Sequence, residues 1–339
     1  VSPIQYAFYQ KALGNITDAQ LQEQLASLKK NNYARDYADA VYKQRVMQQY
    51  NFSLRGRSDK FRNNLTVNYK YDNSGLVNHF NNQFNLQYKG DFDLTKWLTA
   101  TVSVNGIYGK QREAGYDYNG SYANIWAQPA YMPFYNADGT VKGQHYWYDG
   151  NDYMTFEDGF EDMSSNPVDE YYKNTSTTRR QYMRYHGELL FKIIDGLTAN
   201  AQFVYESNHI TKEWYATQDS HIMRTMRNAY GSKDAEGNFT TMVPATGGYL
   251  QTTNTDGLYW TARGQVNYSK TFGKHEINAL AGFEFRETKL NGSKALALGY
   301  DDQLQSSATH TVDFATMSTM SYAPYFFAAS GGYPAQQFV

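Results

Sequence analysis

The residues that could bind a metal ion are the histidines and one acidic segment. The seven histidines are scattered, and none has a second histidine at the spacing of a zinc site. The segment 149–170 is rich in Asp and Glu, which supply the oxygen ligands that Ca²⁺ prefers. The candidate calcium ligands are Asp149, Asn151, Asp152, Glu157 and Asp158. Their spacing is not that of an EF-hand loop, so a solvated acidic loop is the simpler interpretation, and calcium is the one cofactor left open.

Aromatic side chains between the regular segments form a second group with possible chemistry. Tyr and Trp rings stack on sugar rings and on partner proteins, but they also pack loops together. The ligand-binding candidates of this type are Trp126, Tyr131, Trp147, Tyr148, Tyr153, Trp214 and Tyr215. Both interpretations remain open from the sequence.

Motifs for covalent chemistry are not found. The sequence contains no cysteine, no phosphate-binding glycine loop and no Gly-x-Ser-x-Gly nucleophile motif. A glycan-cleaving enzyme would need a pair of carboxylates across a cleft, and no such pair can be identified. The formal net charge of −2 also provides no footprint for nucleic acid. We therefore expect a protein that is not an enzyme and does not bind nucleic acid.

The elements that must position these residues are long strands. Apolar and polar residues alternate with a period of two, and most of the runs are longer than the 5–6 residues of ordinary globular strands. A tilted membrane-spanning strand needs about 9–11 residues. Eight such runs occur, at 50–55, 64–71, 80–89, 98–105, 181–194, 197–205, 257–272 and 277–285.

The connections between the runs alternate between short and long. Short turns are predicted at 58–60, 90–96, 195–196 and 273–274, whereas irregular segments cover 111–180, 207–256 and the residues from 290. Antiparallel neighbours place alternate connections at opposite ends of the strands, so one end carries all the long loops. Outer-membrane barrels have short periplasmic turns and long extracellular loops. The pattern predicts an all-β fold, an antiparallel transmembrane β-barrel section of about eight strands from a larger barrel. A soluble β-sandwich is the alternative.

In a barrel section, the apolar face meets lipid and the polar face meets a wet lumen. The Phe92 and Trp97 side chains would lie in the periplasmic aromatic girdle. The residues predicted to face the lumen are Arg184, His186, Glu188, Lys192, Arg263, Glu284 and Arg286.

The chain is predicted to divide into three parts. Residues 1–47 form a loop with a short helix at 17–30, begun by the capping-box pair Thr17 and Gln20, and further helical turns at 34–45. Residues 48–290 form the transmembrane β-barrel section, and residues 291–339 form an extracellular loop and irregular tail.

A series of segments in a fixed order carries a family resemblance. In chain order these are residues 48–77 (QQYNFSLRGRSDKFRNNLTVNYKYDNSGLV), the FNLQY strand, KWLTATVSVNG, 128–140 (QPAYMPFYNADGT), 166–172 (NPVDEYY), 193–206 (IIDGLTANAQFVYE) and 270–287 (KTFGKHEINALAGFEFRE). Over residues 15–290 this series resembles the SusC/RagA-type TonB-dependent outer-membrane transporters. Barrels of this class have about 22 strands, so the resemblance implies a middle section of the barrel, without the plug.

The resemblance also implies a function. We expect part of an importer in the bacterial outer membrane that takes up large nutrients, such as oligosaccharides or peptides. Its implied partners are outer-membrane lipid, a SusD-like lipoprotein and a TonB complex that acts through the plug. The alternative is a soluble or surface-attached β-sandwich that binds glycans through its aromatic residues.

Overall fold

Eight long strands account for most of the computed structural model, which describes residues 3–115, 128–144, 161–162, 164–307 and 313–319. Two short strands form a separate hairpin, and a two-residue strand ends the main sheet. The strands are β1 (Met47–Arg57), β2 (Phe61–Asp72), β3 (Phe80–Asp93), β4 (Leu98–Ala114), β5 (Asn174–Ile194), β6 (Leu197–Ala216), β7 (Gly231–Lys233), β8 (Phe239–Thr241), β9 (Gly248–Phe272), β10 (His275–Asp301) and β11 (Ser306–Ser307).

The main sheet is antiparallel and follows chain order. Its strand order is β1-β2-β3-β4-β5-β6-β9-β10-β11, and the small hairpin β7-β8 is inserted between β6 and β9. The connections β1-β2, β3-β4, β5-β6 and β9-β10 are tight turns at one end of the sheet, which we call the short-turn end. The long connections lie at the opposite, long-loop end. The predicted fold class is therefore confirmed.

Several strands are longer than the alternation predicts. Strand β5 begins at Asn174 and β6 continues to Ala216, within segments that the sequence indicates as irregular. Strand β10 runs on to Asp301, beyond residue 290. The reason is that these extensions lack a single apolar face: the run 252–255 of β9 is polar on both faces, whereas the run 295–298 of β10 is apolar on both. Alternation in the sequence identifies only the part of a strand that has one apolar face. The hydrogen bonds between neighbouring strands continue beyond that part.

One face of the sheet is apolar from β1 to β10. A single register row joins Leu54, Leu65, Tyr88, Val104, Tyr185, Tyr205 and Trp260 across seven strands. Large apolar side chains on this face are exposed, including Leu189 at 40%, Phe203 at 51% and Phe283 at 63%. On β5, the apolar run from Met183 to Ile193 rises about 25 Å at about 3.3 Å per residue and a tilt of about 40°. That height matches the lipid-facing band of a transmembrane barrel.

Aromatic side chains border this apolar face at both ends. Near the short-turn end, the rings of Phe61 and Phe92 lie 4.8 Å apart and those of Trp97 and Phe191 lie 6.2 Å apart. The opposite border consists of Tyr50, Tyr69, Phe84 and Tyr108, which lie in one register row across β1 to β4. These two rows have the arrangement of the girdles at the two membrane interfaces. The placement of Phe92 and Trp97 agrees with the prediction.

Six helices lie outside the strands in the described ranges. They are α1 (Pro3–Ala12), α2 (Asp18–Leu28), α3 (Tyr33–Val41), α4 (Glu170–Lys173), α5 (His221–Ala229) and α6 (Phe314–Thr319). The predicted capping box is present, since the Thr17 hydroxyl accepts from the Gln20 amide and Gln20 Oε1 accepts from the Thr17 amide. Helix α1 was not predicted. None of the helices within the described ranges is long and apolar enough to cross a membrane.

Two small hydrophobic cores lie at the long-loop end. The first joins Tyr33, Tyr37 and Val41 of α3 to Phe134 and Tyr171. Inside it, the hydroxyl groups of Tyr37 and Tyr171 are hydrogen-bonded at 3.0 Å, and burial raises the pKa of both. The second core is built around α5 and contains Trp214, Ile222, Met223, Met226, Tyr230, Val243, Tyr249, Leu298 and Met317. The buried cores of the described residues thus belong to the loops.

Candidate functional site

The polar face of the sheet contains the seven predicted lumen-facing residues. The pairing register places Glu188, Gln202, Arg263 and Glu284 in one row across β5, β6, β9 and β10. The neighbouring row contains His186, Val204, Thr261 and Arg286. Lys192 keeps this face because it pairs with Thr198, although the register shifts immediately after it. Residues that are up to 100 positions apart in the chain therefore share one surface.

Glu206 is a central polar-face residue that the sequence analysis missed. Its carboxylate accepts hydrogen bonds from Arg184 Nε at 3.0 Å and from the Tyr182 hydroxyl at 3.1 Å. The Arg184 and Glu206 side chains are 39% and 30% exposed, so this ion pair keeps contact with solvent. The signal was available, because Glu206 continues the alternation of Gln202 and Val204 by one step.

Side-chain amides on this face form hydrogen bonds with neighbouring charged groups. Asn200 Nδ2 donates to Glu188 Oε1 at 3.3 Å, and Arg263 Nη2 donates to Gln265 Oε1 at 2.5 Å. Gln265 in turn donates to Asn267 at 2.6 Å. Such contacts orient charged groups without neutralising them, so the surface presents both signs of charge.

The first three strands present a different polar surface. Asn51, Asn68 and Asn85 lie directly opposite one another and form an amide ladder, with Nδ2-to-Oδ1 distances of 2.5 Å and 2.8 Å. Each amide donates to one neighbour and can accept from another, which is how a row of asparagines links adjacent strands. The polar face of β1–β3 therefore has a row of neutral amides flanked by charged residues such as Arg55, Lys70 and Lys89, whereas the rows across β5, β6, β9 and β10 carry charges of both signs.

A shallow depression lies within the charged part of the polar face. It is lined by Val204, Glu206, Tyr259, Trp260, Thr261 and Arg286. Glu206 and Arg286 offer an anionic and a cationic group, and Tyr259 offers a ring and a hydroxyl. The depression can therefore contact a ligand with both signs of charge through groups from β6, β9 and β10.

The predicted aromatic ligand contacts have different surroundings. Trp214 is buried at 8% exposure, its ring contacts that of Tyr249 at a centroid distance of 4.5 Å, and its Nε1 donates to Asn174 Oδ1 at 2.7 Å. It therefore packs the α5 core in this structure, and a ligand would have to displace α5 to reach it. Tyr215 is half-buried on the opposite face of β6, where its ring contacts that of Tyr300.

The other aromatic candidates are not brought together with these two. Tyr131 is half-buried beside α3, and its carbonyl accepts a hydrogen bond from Asn31. Trp126, Trp147, Tyr148 and Tyr153 lie outside the described residues. Their predicted role as ligand contacts stays a prediction.

The calcium candidates Asp149, Asn151, Asp152, Glu157 and Asp158 also lie outside the described residues. Within the described ranges, no group of three or more His, Asp or Glu side chains is placed to hold a metal ion.

Helix α5 covers the polar face at the long-loop end, and the sequence analysis missed it. It contacts the sheet through Trp214, Tyr249 and Leu298, which share the polar face with Glu206 and Arg263. Its signals were Ser220, whose side chain accepts from the Met223 amide, and the apolar spacing of Ile222, Met223 and Met226. A helix in this position reduces the space next to the polar face at the long-loop end.

Three polar side chains of α5 bind residues 161–164. Arg227 forms an ion pair with Glu161, and the Asn228 side chain bonds both the amide and the carbonyl of Glu161 at 2.9 Å and 2.7 Å. Arg224 donates from Nη2 to the Ser164 carbonyl at 2.7 Å. The spacing i, i+3 and i+4 places these three residues on one side of the helix. Helix α5 is therefore fastened to the long β4-β5 connection as well as to the sheet.

Glu170 links α4 to the start of α5. Its side chain is buried, Oε1 accepts from the His221 amide at 2.7 Å, and Arg224 Nη2 lies 3.9 Å away. Oε2 has no hydrogen-bond partner among the residues that the structure describes. Burial raises the pKa of Glu170 to about 7, against the lowering effects of the His221 amide and Arg224.

The single antiparallel sheet, its exposed apolar face and its polar face define a section of a transmembrane β-barrel. A β-sandwich would cover the apolar face with a second large sheet, whereas the only other sheet in the described ranges is the two-stranded hairpin. Solved structures that this chain resembles include those of the RagAB peptide importer. The chain aligns with the RagAB peptide transporter at a TM-score of 0.63 and 15% identity, over 83% of this chain and 28% of that chain.

Two states of the RagAB peptide importer give similar results. The TM-score is 0.62 for the 'closed-closed' state, at 15% identity, and 0.61 for the 'open-open' state, at 14% identity. Each comparison covers 81% of this chain and 28% of that chain. At such identity the likeness concerns the fold, and it confirms the predicted SusC/RagA-type resemblance at that level. The sequence matches no family model and no curated protein.

Proposed function

We propose that this chain is part of an outer-membrane importer for large nutrients, and that peptides are its substrates. The observation that carries the proposal is the continuous antiparallel sheet with one exposed apolar face, one polar face and all tight turns at one end. Such a section encloses a lumen only as part of a larger barrel. The chain spans 28% of the length of the RagAB chains, so the activity belongs to the whole protein.

The choice of peptides rests on the charged polar face. A peptide carries an amino group, a carboxyl group and side chains of both signs, which Glu206 and Arg286 can contact in the depression on β6, β9 and β10. The RagAB structures are described as peptide importers. Oligosaccharides, the other expected substrate class, would depend more on stacking with aromatic rings than on charge.

Uptake in this proposal involves binding and conformational change, with no covalent chemistry. In keeping with the sequence resemblance to SusC/RagA-type transporters, a SusD-like lipoprotein would close the long-loop end, and a TonB complex would act through a plug. The mixed charges of the lumen would tune selectivity without forming a tight binding site.

Membrane fractionation tests the location. We expect the full-length protein to stay with the outer membrane in aqueous buffer, including at high salt, and to be extracted by detergent. High salt removes peripheral proteins because it screens surface charges. Release into buffer without detergent would contradict the proposal.

Uptake assays test the substrate class. Cells that need the transporter for growth should use oligopeptides only when TonB is present, and the double substitution Arg184→Gln, Arg286→Gln should reduce uptake of acidic peptides several-fold. Lys289→Gln, on the apolar side of the sheet, is the matched control. Growth on oligosaccharides but not on peptides would reassign the substrate, and equal uptake by the double variant would contradict the role of the polar face.

A further inference from the structure

Three cationic side chains lie close together on the apolar side of the sheet, just beyond the aromatic border nearer the long-loop end. Lys110 and Arg112 belong to β4, and Arg179 belongs to β5. Lys110 and Arg112 follow Tyr108 by two and four residues, so they lie on the same face of β4 as Tyr108. Arg179 pairs with Lys110 and therefore lies on the same face of the sheet. We call Lys110, Arg112 and Arg179 the cation cluster.

The register brings like charges together. Lys110 and Arg179 lie directly opposite each other on adjacent antiparallel strands. Like charges in this arrangement destabilise a sheet unless a counter-charge lies nearby. The cluster is therefore a place where an anion would stabilise the fold.

Only one of the three cations has a counter-charge among the described residues. Arg179 Nη1 lies 2.5 Å from Glu213 Oε2, and its side chain is 40% exposed. Lys110 and Arg112 instead approach the ring of Phe80, at 5.9 Å and 5.5 Å from its centroid. Neither forms an ion pair with a residue that the structure describes, so the cluster retains an excess of positive charge.

Arg112 also has unused hydrogen-bonding capacity. Its Nη1 donates to Asn78 Oδ1 at 3.3 Å, whereas its Nε is enclosed and has no partner within the described part of the chain. The carboxylate in the register row of Arg112 is that of Glu213, two strands away, and it is already paired with Arg179. Neighbouring acidic side chains therefore do not satisfy Arg112.

The position of the cluster indicates its ligand. Tyr108 and Phe84, which pair in the aromatic border, are 46% and 42% exposed and mark the membrane interface. Lys110 follows Tyr108 by two residues, a rise of about 5 Å in a tilted strand. Lipid phosphates lie at this height, immediately outside the hydrocarbon region.

We propose that the cation cluster binds the phosphate of a lipid headgroup in the outer leaflet. Lys110 and Arg112 supply the charge, and the apolar face below the cluster holds the acyl chains. The continuity of this apolar face with the cluster is the reason to assign a lipid and not free phosphate. The inference depends on the membrane position of the sheet and is independent of which nutrient the protein imports.

The test uses the full-length protein purified in detergent and examined by native mass spectrometry. The probes are a phosphorylated glycolipid, its enzymatically dephosphorylated form, and inorganic phosphate. We expect wild-type protein to retain the phosphorylated lipid selectively. The double substitution Lys110→Gln, Arg112→Gln should weaken retention about 30-fold, which corresponds to about 1 kcal/mol for each cation near a membrane surface.

Lys89→Gln is the matched control, because it removes the same charge from the opposite face of β3. It should leave lipid retention unchanged, and far-ultraviolet circular dichroism should confirm that every variant is folded. Equal retention of the two lipids, or equal retention by the double variant and the wild type, would overturn the proposal. Displacement of the lipid by equimolar inorganic phosphate would also overturn it, because it would assign the cluster to a soluble anion.

Discussion

A buried carboxyl group shows how a single residue affects the stability of the loops at the long-loop end of the sheet. Glu170 lies where α4, α5 and the start of β5 meet, and one of its oxygens has no hydrogen-bond partner in the described part of the chain. Its contact with the His221 amide at the start of α5 favours the charged form, while burial favours the neutral form. Burial is the larger effect, so this position should respond to pH.

The first prediction concerns Glu170→Gln. The pKa of the folded state, about 7, lies above the ordinary value of 4.5, so the wild-type loops are most stable with Glu170 protonated. Their stability should fall as pH rises from about 4.5 to about 7, by about 3 kcal/mol in total. The glutamine variant lacks this titration. Hydrogen exchange in α5, corrected for intrinsic rates, should therefore show wild type losing protection relative to the variant as pH rises.

The control for this experiment is Glu236→Gln, which removes an exposed carboxyl group from the β7-β8 hairpin. It should follow wild type at every pH. A constant difference between wild type and Glu170→Gln from pH 5 to pH 8 would show that Glu170 does not titrate in this range.

At the scale of the elements, the two faces of each strand meet different surroundings. Phe203 and Gln202 are neighbours on β6, yet Phe203 is exposed on the apolar face and stacks near Trp260, whereas Gln202 lies between Glu188 and Arg263 on the polar face. A change of one position in the chain therefore changes the environment from lipid to a wet lumen.

The second prediction compares Phe203→Arg with Gln202→Arg. An arginine on the lipid-facing side should destabilise the barrel by about 2–4 kcal/mol, whereas one on the lumen side should have little effect on stability. The measurement is reversible urea unfolding of the full-length protein in lipid vesicles. Equal losses for the two variants would argue against lipid on the apolar side.

The third prediction concerns the two-residue turn between β5 and β6. Gly196 has a φ of +81°, and a Cβ at this position would lie 2.6 Å from the Ser269 carbonyl oxygen. We expect Gly196→Ala to cost about 2 kcal/mol, because the left-handed conformation and the close approach both penalise a side chain. Gly187→Ala on β5 is the control, since a Cβ there meets nothing within 4 Å. The same unfolding assay distinguishes them, and equal stability of the two variants would contradict this account of the turn.

At the scale of the whole molecule, the two ends of the sheet differ, and this difference defines an orientation for the protein. Tight turns lie at one end, and the two loop cores with helices α3 and α5 lie at the other. Antiparallel pairing in chain order makes this arrangement unavoidable once the connection lengths alternate. The strands β1 and β10 each have a long partner on one side only among the described residues, as expected for a section of a larger barrel.

The fourth prediction tests this direction in cells. The sequence contains no cysteine, so a single new thiol in this region can be followed. We expect Glu236→Cys, at the exposed long-loop end, to react with a bulky membrane-impermeant thiol reagent on intact cells. Asp59→Cys, in the exposed β1-β2 turn, should react only after the outer membrane is permeabilised. The reverse pattern would invert the orientation.

The sequence by itself determined the features that repeat along the chain. Alternation with a period of two identified eight strands and their faces. The alternating connection lengths indicated that consecutive strands are antiparallel neighbours. Both signals come from residues that are close together in the chain. That the seven predicted residues share one polar face could be deduced for the same reason. Glu206 was missed only because the alternation was not extended by one residue.

Only the tertiary structure decided what depends on contacts between distant segments. Trp214 was predicted to contact a ligand, but the packing of α5 buries it. The strand extensions escaped prediction because they lack a single apolar face, and the pairing of Lys110 with Arg179 depends on a register that crosses the long β4-β5 connection. Periodicity records the environment of each side chain, whereas register and loop packing depend on the free energy of contacts between residues far apart in the chain.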